Sequence, residues 1–138
     1  MVYQDTISVR TKGRGTYELT HHLADIIRKS GVRRGIVNVF VQHTSASLTI
    51  CENADPDVLR DLEAFMRHLV PDGDPMFRHT AEGPDDMSAH VRSVLTDSGL
   101  NLPIDAGRCK LGTWQGVYLW EHRARPHRRQ VMVTIYGE

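Results

Sequence analysis

Short runs in which every second side chain is apolar recur along this chain, and they leave little choice of architecture. Ala46, Leu48 and Ile50 alternate with Ser47, Thr49 and Cys51, and Val131, Val133 and Ile135 alternate with Met132, Thr134 and Tyr136. Successive side chains of a strand point to opposite faces, so each run turns one face to a core. A denser run in residues 35–42 holds Ile36, Val37, Val39, Phe40 and Val41. It is β-branched and too short for an ordinary helix, which predicts a central strand. Further strands are expected at 101–105, 113–121 and 129–136, and residues 3–9 and 16–19, joined by the glycine-containing segment 12–15, read as a β-hairpin.

Helical periodicity interrupts these strands two or three times. Thr20 is placed to cap a helix in which Leu23, Ile26, Ile27 and Ser30 share a face, and Gly31 to end it in a left-handed conformation. Asp55 suits an N-cap and Pro56 the first helical position, opening a helix with an apolar stripe of Val58, Leu59, Leu62, Phe65, Met66 and Leu69. A short helix from about Asp86 has Met87, Val91, Val94 and Leu95 as its apolar residues. Strands and helices mix without regular βαβ alternation. The expectation is therefore α+β, with largely antiparallel sheets forming a sandwich-like core in a single domain over residues 1–138.

Charge and length remove several function classes. Seventeen basic and seventeen acidic side chains cancel, so the general positive field needed for nucleic acid or anionic lipid is missing. No run approaches the roughly 20 apolar residues of a membrane span, and the N-terminal residues show no secretory pattern; a cytoplasmic location without membrane contact is expected. Cys51 and Cys109 are too few for a disulfide framework or an all-cysteine zinc site.

Polar residues able to do chemistry gather at strand ends and in loops. His43, Thr44 and Ser45 follow the central strand as a small-residue turn in which backbone N–H groups can approach an anion. In the segment 79–90, Asp86 and His90 are four apart and share a helix face, while Gly83 and Pro84 bend the approach so that His79 can fold back onto it. With His43 this makes a candidate three-histidine site for a divalent transition metal, with a carboxylate beside it. The alternative assigns Asp85 or Asp86 to helix capping and leaves the histidines solvated. Glu52, near Asn53, is a candidate general base. Gly112, Thr113, Trp114 and Gln115 could hold a heterocycle, or simply start a strand with a core tryptophan. Arg123, in the basic connection 123–129, is long enough to reach a phosphorylated ligand.

Taken jointly and in order, these blocks resemble the YjbQ-like family: 43–49, 52–56, His79 with 82–87 and His90, 112–116, 121–123 and the closing Gly137-Glu138. The resemblance implies a sandwich-like α+β fold assembling as a homotrimer, and a secondary thiamine-phosphate synthase activity. That reaction joins a hydroxymethylpyrimidine diphosphate to a thiazole phosphate with release of pyrophosphate. By position it implies His43, His79 and His90 as metal ligands with Asp86 and Glu52 as catalytic carboxylates beside them. It leaves Thr44, Ser45, Asn53, Gly112, Thr113, Trp114, Gln115 and Arg123 for the phosphorylated substrate. Imidazole ligands favour a zinc-like ion, while a diphosphate substrate would suit magnesium. Two alternatives stand beside the synthase: a hydrolase using metal-activated water, and a module that only binds a phosphorylated ligand. The chain departs from the family pattern at 124–127, where a Gly-Gly-Ser-like turn is common, at Ser88, where proline is common, and at Cys109, where an aliphatic residue is usual.

Overall fold

The structure, a computed structural model, describes all of residues 1–138. Its elements in chain order are β1 (Val2–Arg10), β2 (Gly15–Glu18), α1 (Thr20–Ser30), β3 (Arg34–Val41), β4 (Ala46–Glu52) and α2 (Pro56–Leu69). They continue with α3 (Asp86–Leu95), β5 (Gly99–Asp105), β6 (Arg108–Cys109), β7 (Gln115–Glu121) and β8 (Arg128–Gly137). Five strands form one sheet in the order β1-β8-β3-β5-β6, and three form a second in the order β2-β7-β4. Every pairing is antiparallel, as the α+β expectation requires.

The period-2 runs supply the core between the sheets. Val37, Val39 and Val41 of β3 and Val131, Val133 and Ile135 of β8 meet Ala46 and Leu48 of β4 and Val117 and Leu119 of β7, with Leu23, Ile26 and Ile27 of α1 in the same cluster. Gly31 ends α1 at φ 74°, the left-handed cap expected of it. Asp55 caps α2 by accepting from the Asp57 N–H at 2.9 Å, with Pro56 behind it in the first turn.

Three expectations change. The segments 3–9 and 16–19 are not a hairpin: β1 pairs with β8 and β2 with β7, so the chain crosses from one sheet to the other between them. Local turn residues cannot reveal this, because strand choice is set by distant partners. Thr20 does not cap α1; its hydroxyl donates to Glu18 and accepts from the Val117 N–H, tying the helix to β7. β3 is the central strand of the five, as expected, with Ile36 and Phe40 about half exposed.

The third change positions the candidate functional site. α3 buries Asp86, Ser88, Ala89 and Arg92 and turns Val94 and Leu95 outward, the reverse of its apolar pattern. Arg92, fully buried, donates to Glu63 of α2 at 3.2 Å and to the Val70 carbonyl at 3.1 Å. Buried charges persist where they are paired, so a polar network substitutes for an apolar stripe here. The same network pins the long loop between α2 and α3. Arg14 grips Asp72 through two hydrogen bonds of 2.9 and 3.0 Å, Ser88 donates to Asp72, and the Gly73 N–H donates to the Pro84 carbonyl. The loop is thereby folded back across the start of α3.

Candidate metal centre

At that start, three side chains converge. His79 arrives from the loop, while Asp86 and His90 stand one turn apart on α3, and their ligand atoms all lie within 4.8 Å of one another. The Asp86 Oδ2 is 2.7 Å from His79 Nε2 and 3.2 Å from His90 Nε2, and the two rings meet edge-on with centroids 5.4 Å apart. Asp86 is nearly fully buried, whereas His79 is about half exposed, so one side of the cluster is open to ligands.

The supports of this cluster set its chemistry. His90 Nδ1 lies 3.0 Å from the Thr44 carbonyl oxygen. A carbonyl only accepts, so Nδ1 carries the proton, and in the neutral ring Nε2 turns a lone pair toward the carboxylate of Asp86. With a proton on Nε2 the ring is charged and donates to Asp86 across those 3.2 Å, and because Nδ1 is held by Thr44 a divalent metal can take that proton's place without a change of tautomer. Arg123 holds the other carboxylate oxygen, its Nη1 donating to Asp86 Oδ1 at 2.8 Å while its Nε donates to Asp85 at 3.0 Å. Burial opposes ionisation of Asp86, but the His79 hydrogen bond and the nearby His90 and Arg123 charges outweigh it and hold the carboxyl below its ordinary range. Two imidazoles and an ionised carboxylate with an exposed side form a donor set suited to zinc or a similar ion.

The third expected imidazole is elsewhere. His43 Nε2 accepts the Gln130 backbone N–H at 2.8 Å, and Nδ1 lies 3.4 Å from Arg129. Its lone pair is committed to β8, and burial together with the Arg129 charge makes the ring less basic than usual. The candidate ligand set is thus His79, Asp86 and His90, with Asp86 moving from neighbouring carboxylate to candidate ligand. Ser45 is also structural, its hydroxyl accepting from Arg129 at 3.0 Å. Thr44 contributes its carbonyl to His90 rather than a hydroxyl to substrate. Arg123 is occupied by Asp85, Asp86 and the Glu82 carbonyl, so it orients the centre instead of reaching for phosphate.

The remaining candidates sit at the opposite end of the three-stranded sheet. Ala46 pairs with Glu121 and Glu52 with Gln115, and six residues of strand separate the two ends by roughly 20 Å. Glu52 accepts from the Asp55 N–H there, Gln115 closes a turn by accepting from the Gly112 N–H, and Asn53 and Thr113 are exposed. Trp114 is not a core residue; 63% of its surface is open. Within one chain, Glu52 cannot serve the metal centre as a base.

The sequence reading missed a buried charged group beside the centre. Glu121 is fully buried, bonded to Arg129 and to the Thr11 hydroxyl, and its backbone neighbour His122 packs beside Trp120 with Nε2 2.8 Å from Ser47. The signal was present: the apolar run 117–120 continues without a turn residue into Glu121-His122, which places both in a buried strand end. Next to His79, a cavity of about 360 Å3 includes Phe77, Thr80, Pro84 and Met87 in its lining, and Asp74 is its sole ionisable member apart from His79.

A family model described as UPF0047 protein YjbQ-like matches residues 5–138. The chain belongs to this family. It is 50% identical over 136 residues to the UPF0047 protein sll1880 of Synechocystis, covering 99% of this chain and 92% of that one. To YjbQ of Escherichia coli O157:H7 it is 42% identical with both chains fully covered. A solved structure of a yjbq/upf0047 family protein from Clostridium acetobutylicum superposes with a TM-score of 0.89 at 35% identity, covering 96% of this chain and 99% of that one. The fold of this UPF0047 chain is therefore that of its relatives, and Asp86, His79 and His90 lie on a shared scaffold.

Proposed function

We propose that this UPF0047 chain is a metal-dependent hydrolase acting on a small phosphorylated molecule, with His79, Asp86 and His90 holding the ion. The single observation that carries this is the convergence of the His79, Asp86 and His90 ligand atoms within 4.8 Å of one another, with His90 oriented by Thr44 and Asp86 by Arg123 and the His79 side open. A divalent ion bound there supplies Lewis acidity toward a water or phosphate oxygen. The protein's own part is to keep Asp86 ionised, to keep His90 in the metal-binding tautomer, and to offer the Phe77 and Met87 cavity to the organic part of a substrate. Arg123 is already neutralised by two carboxylates, so it is not free to hold a departing diphosphate, which favours attack by water.

The second reading is the thiamine-phosphate synthase implied by family likeness. The exposed Trp114 favours it, because an open indole face can stack a pyrimidine or thiazole ring. Since Trp114 and the metal centre occupy opposite ends of the chain, this reading requires a homotrimer in which a neighbouring copy brings them together. Exposed Phe65, Leu69, Val94 and Leu95 on α2 and α3 are consistent with such an assembly.

Turnover separates the readings. Zinc-loaded protein is incubated with hydroxymethylpyrimidine diphosphate alone, with thiazole phosphate alone, and with both. Phosphate or pyrophosphate released from one substrate with water supports the hydrolase. Pyrophosphate released only when both are present replaces it with the synthase, and saturable binding without product reduces the chain to a binding module.

A further inference from the structure

A second cluster of charge lies where β1 and β8 end, and neither reading above uses it. Arg10 and Arg128 are direct cross-strand partners, so their side chains leave the same face of the five-stranded sheet. Like charges directly opposite destabilise an antiparallel pair. Lys12 joins them, and with Thr11, Pro126 and His127 these residues line a cavity of about 510 Å3 that contains no carboxylate, a volume within the range of small-molecule sites, roughly 300–1,000 Å3.

What distinguishes these cations is that three of them line one cavity without a counter-charge. Three arginines nearby are matched, Arg14 with Asp72, Arg123 with Asp85 and Asp86, and Arg129 with Glu121, while Arg125, outside the lining, is exposed and unpaired. Arg10, Lys12 and Arg128 form no ion pair, although the chain has as many acids as bases. Glu121 lies behind Thr11, but Arg129 already neutralises it. The wall is held in place by hydrogen bonds across the strands: the Thr11 N–H donates to the His127 carbonyl at 2.8 Å, and the His127 N–H to the Thr11 hydroxyl at 2.9 Å. His127 Nδ1 donates to the Arg125 carbonyl, which leaves Nε2 without a protein partner. An open depression lined by three exposed, unmatched cations suits a compact anion with several oxygens.

We propose that this cavity binds the phosphate or diphosphate group of a soluble small molecule, through Arg10, Lys12 and Arg128. The inference does not depend on the metal centre. A single cavity with no aromatic lining, on a chain of zero net charge, does not fit a nucleic-acid track.

The test is isothermal titration of the full chain with pyrophosphate in buffer free of divalent metal. Saturable binding of one pyrophosphate per chain that weakens with added salt is expected. Arg10→Gln/Arg128→Gln should bind at least tenfold more weakly, and without ligand it should melt no lower than the parent because the opposed charges are gone. His90→Ala should bind pyrophosphate as the parent does. Absence of saturable binding overturns the proposal, as does equal binding by the double variant or loss of binding in His90→Ala, which would place the anion at the metal centre. Tighter binding of a 20-nucleotide single strand than of pyrophosphate would also overturn it, in favour of a nucleic-acid surface.

Discussion

His122 should make this protein lose stability between pH 7 and pH 5, before its carboxylates begin to titrate. The ring is fully buried, its Nδ1 has no partner, and burial together with the Arg92, Arg14 and Arg129 charges lowers its pKa to about 3. In the unfolded chain it titrates near 6.5, so below that pH the unfolded state takes a proton that the folded state refuses. The sign follows: stability is complete above about pH 6.5 and is lost progressively as pH falls toward 3. Between pH 7 and pH 5 this amounts to ~2 kcal/mol, at 1.36 kcal/mol per unit of difference, which is about 1 M in urea midpoint for a domain of this size. His43, also less basic than usual, contributes in the same direction. The comparison of parent with His122→Gln therefore isolates the buried ring. Urea unfolding of both at pH 7 and pH 5, at one protein concentration and ionic strength, should show a smaller loss for the variant by ~2 kcal/mol. Equal losses in the two proteins would refute the argument that this imidazole is held neutral.

Other consequences follow from packing and charge around the same strand ends. Arg123→Met removes the group that orients Asp86 and should weaken zinc binding by roughly 10- to 100-fold, read by competition with a chromophoric chelator. The same variant should lose about 3 kcal/mol in urea, because Asp85 and Asp86 lose their shared guanidinium partner in poorly solvated positions. Glu121→Gln should destabilise the fold by a similar ~3 kcal/mol, by stranding Arg129. Its contribution shrinks in acid, since Glu121 titrates below its usual range despite burial and its stabilisation is lost as pH falls through that lowered value. Gly35→Ala should be among the most damaging small substitutions. A methyl there would collide with the Tyr136 carbonyl of β8, in the same cross-strand pair where Gly137 meets Arg34, and a loss of about 3 kcal/mol or more is expected from thermal melts.

Where the sequence was readable and where it was not has a common physical cause. Core strands such as 46–50 and 131–135 declare themselves because alternation is a local property, and the Asp55-Pro56 helix start is equally local. α3 misled because Arg92 and Asp86 are buried by partners far along the chain: Glu63, Val70, Arg123 and His79. Helical spacing alone put Asp86 and His90 on one face, and the Gly83-Pro84 bend does return His79 to them. The assignment of His43 failed for a different reason. Its turn lies next to the centre, but β8 offers a backbone N–H to the ring, and only the register of β3 with β8 reveals that competitor. Grouping Glu52 and 112–115 with the histidines failed because strand pairing, invisible in sequence, puts them at the other end of the sheet.

Metal stoichiometry in histidine variants tests the ligand set most directly. After equilibration with zinc and exhaustive dialysis, elemental analysis should find one ion per chain in the parent and in His43→Ala, and little or none in folded His79→Ala and His90→Ala. Full occupancy in the latter two, or loss of zinc from His43→Ala equal to that from His90→Ala, would contradict a centre built from two imidazoles and Asp86.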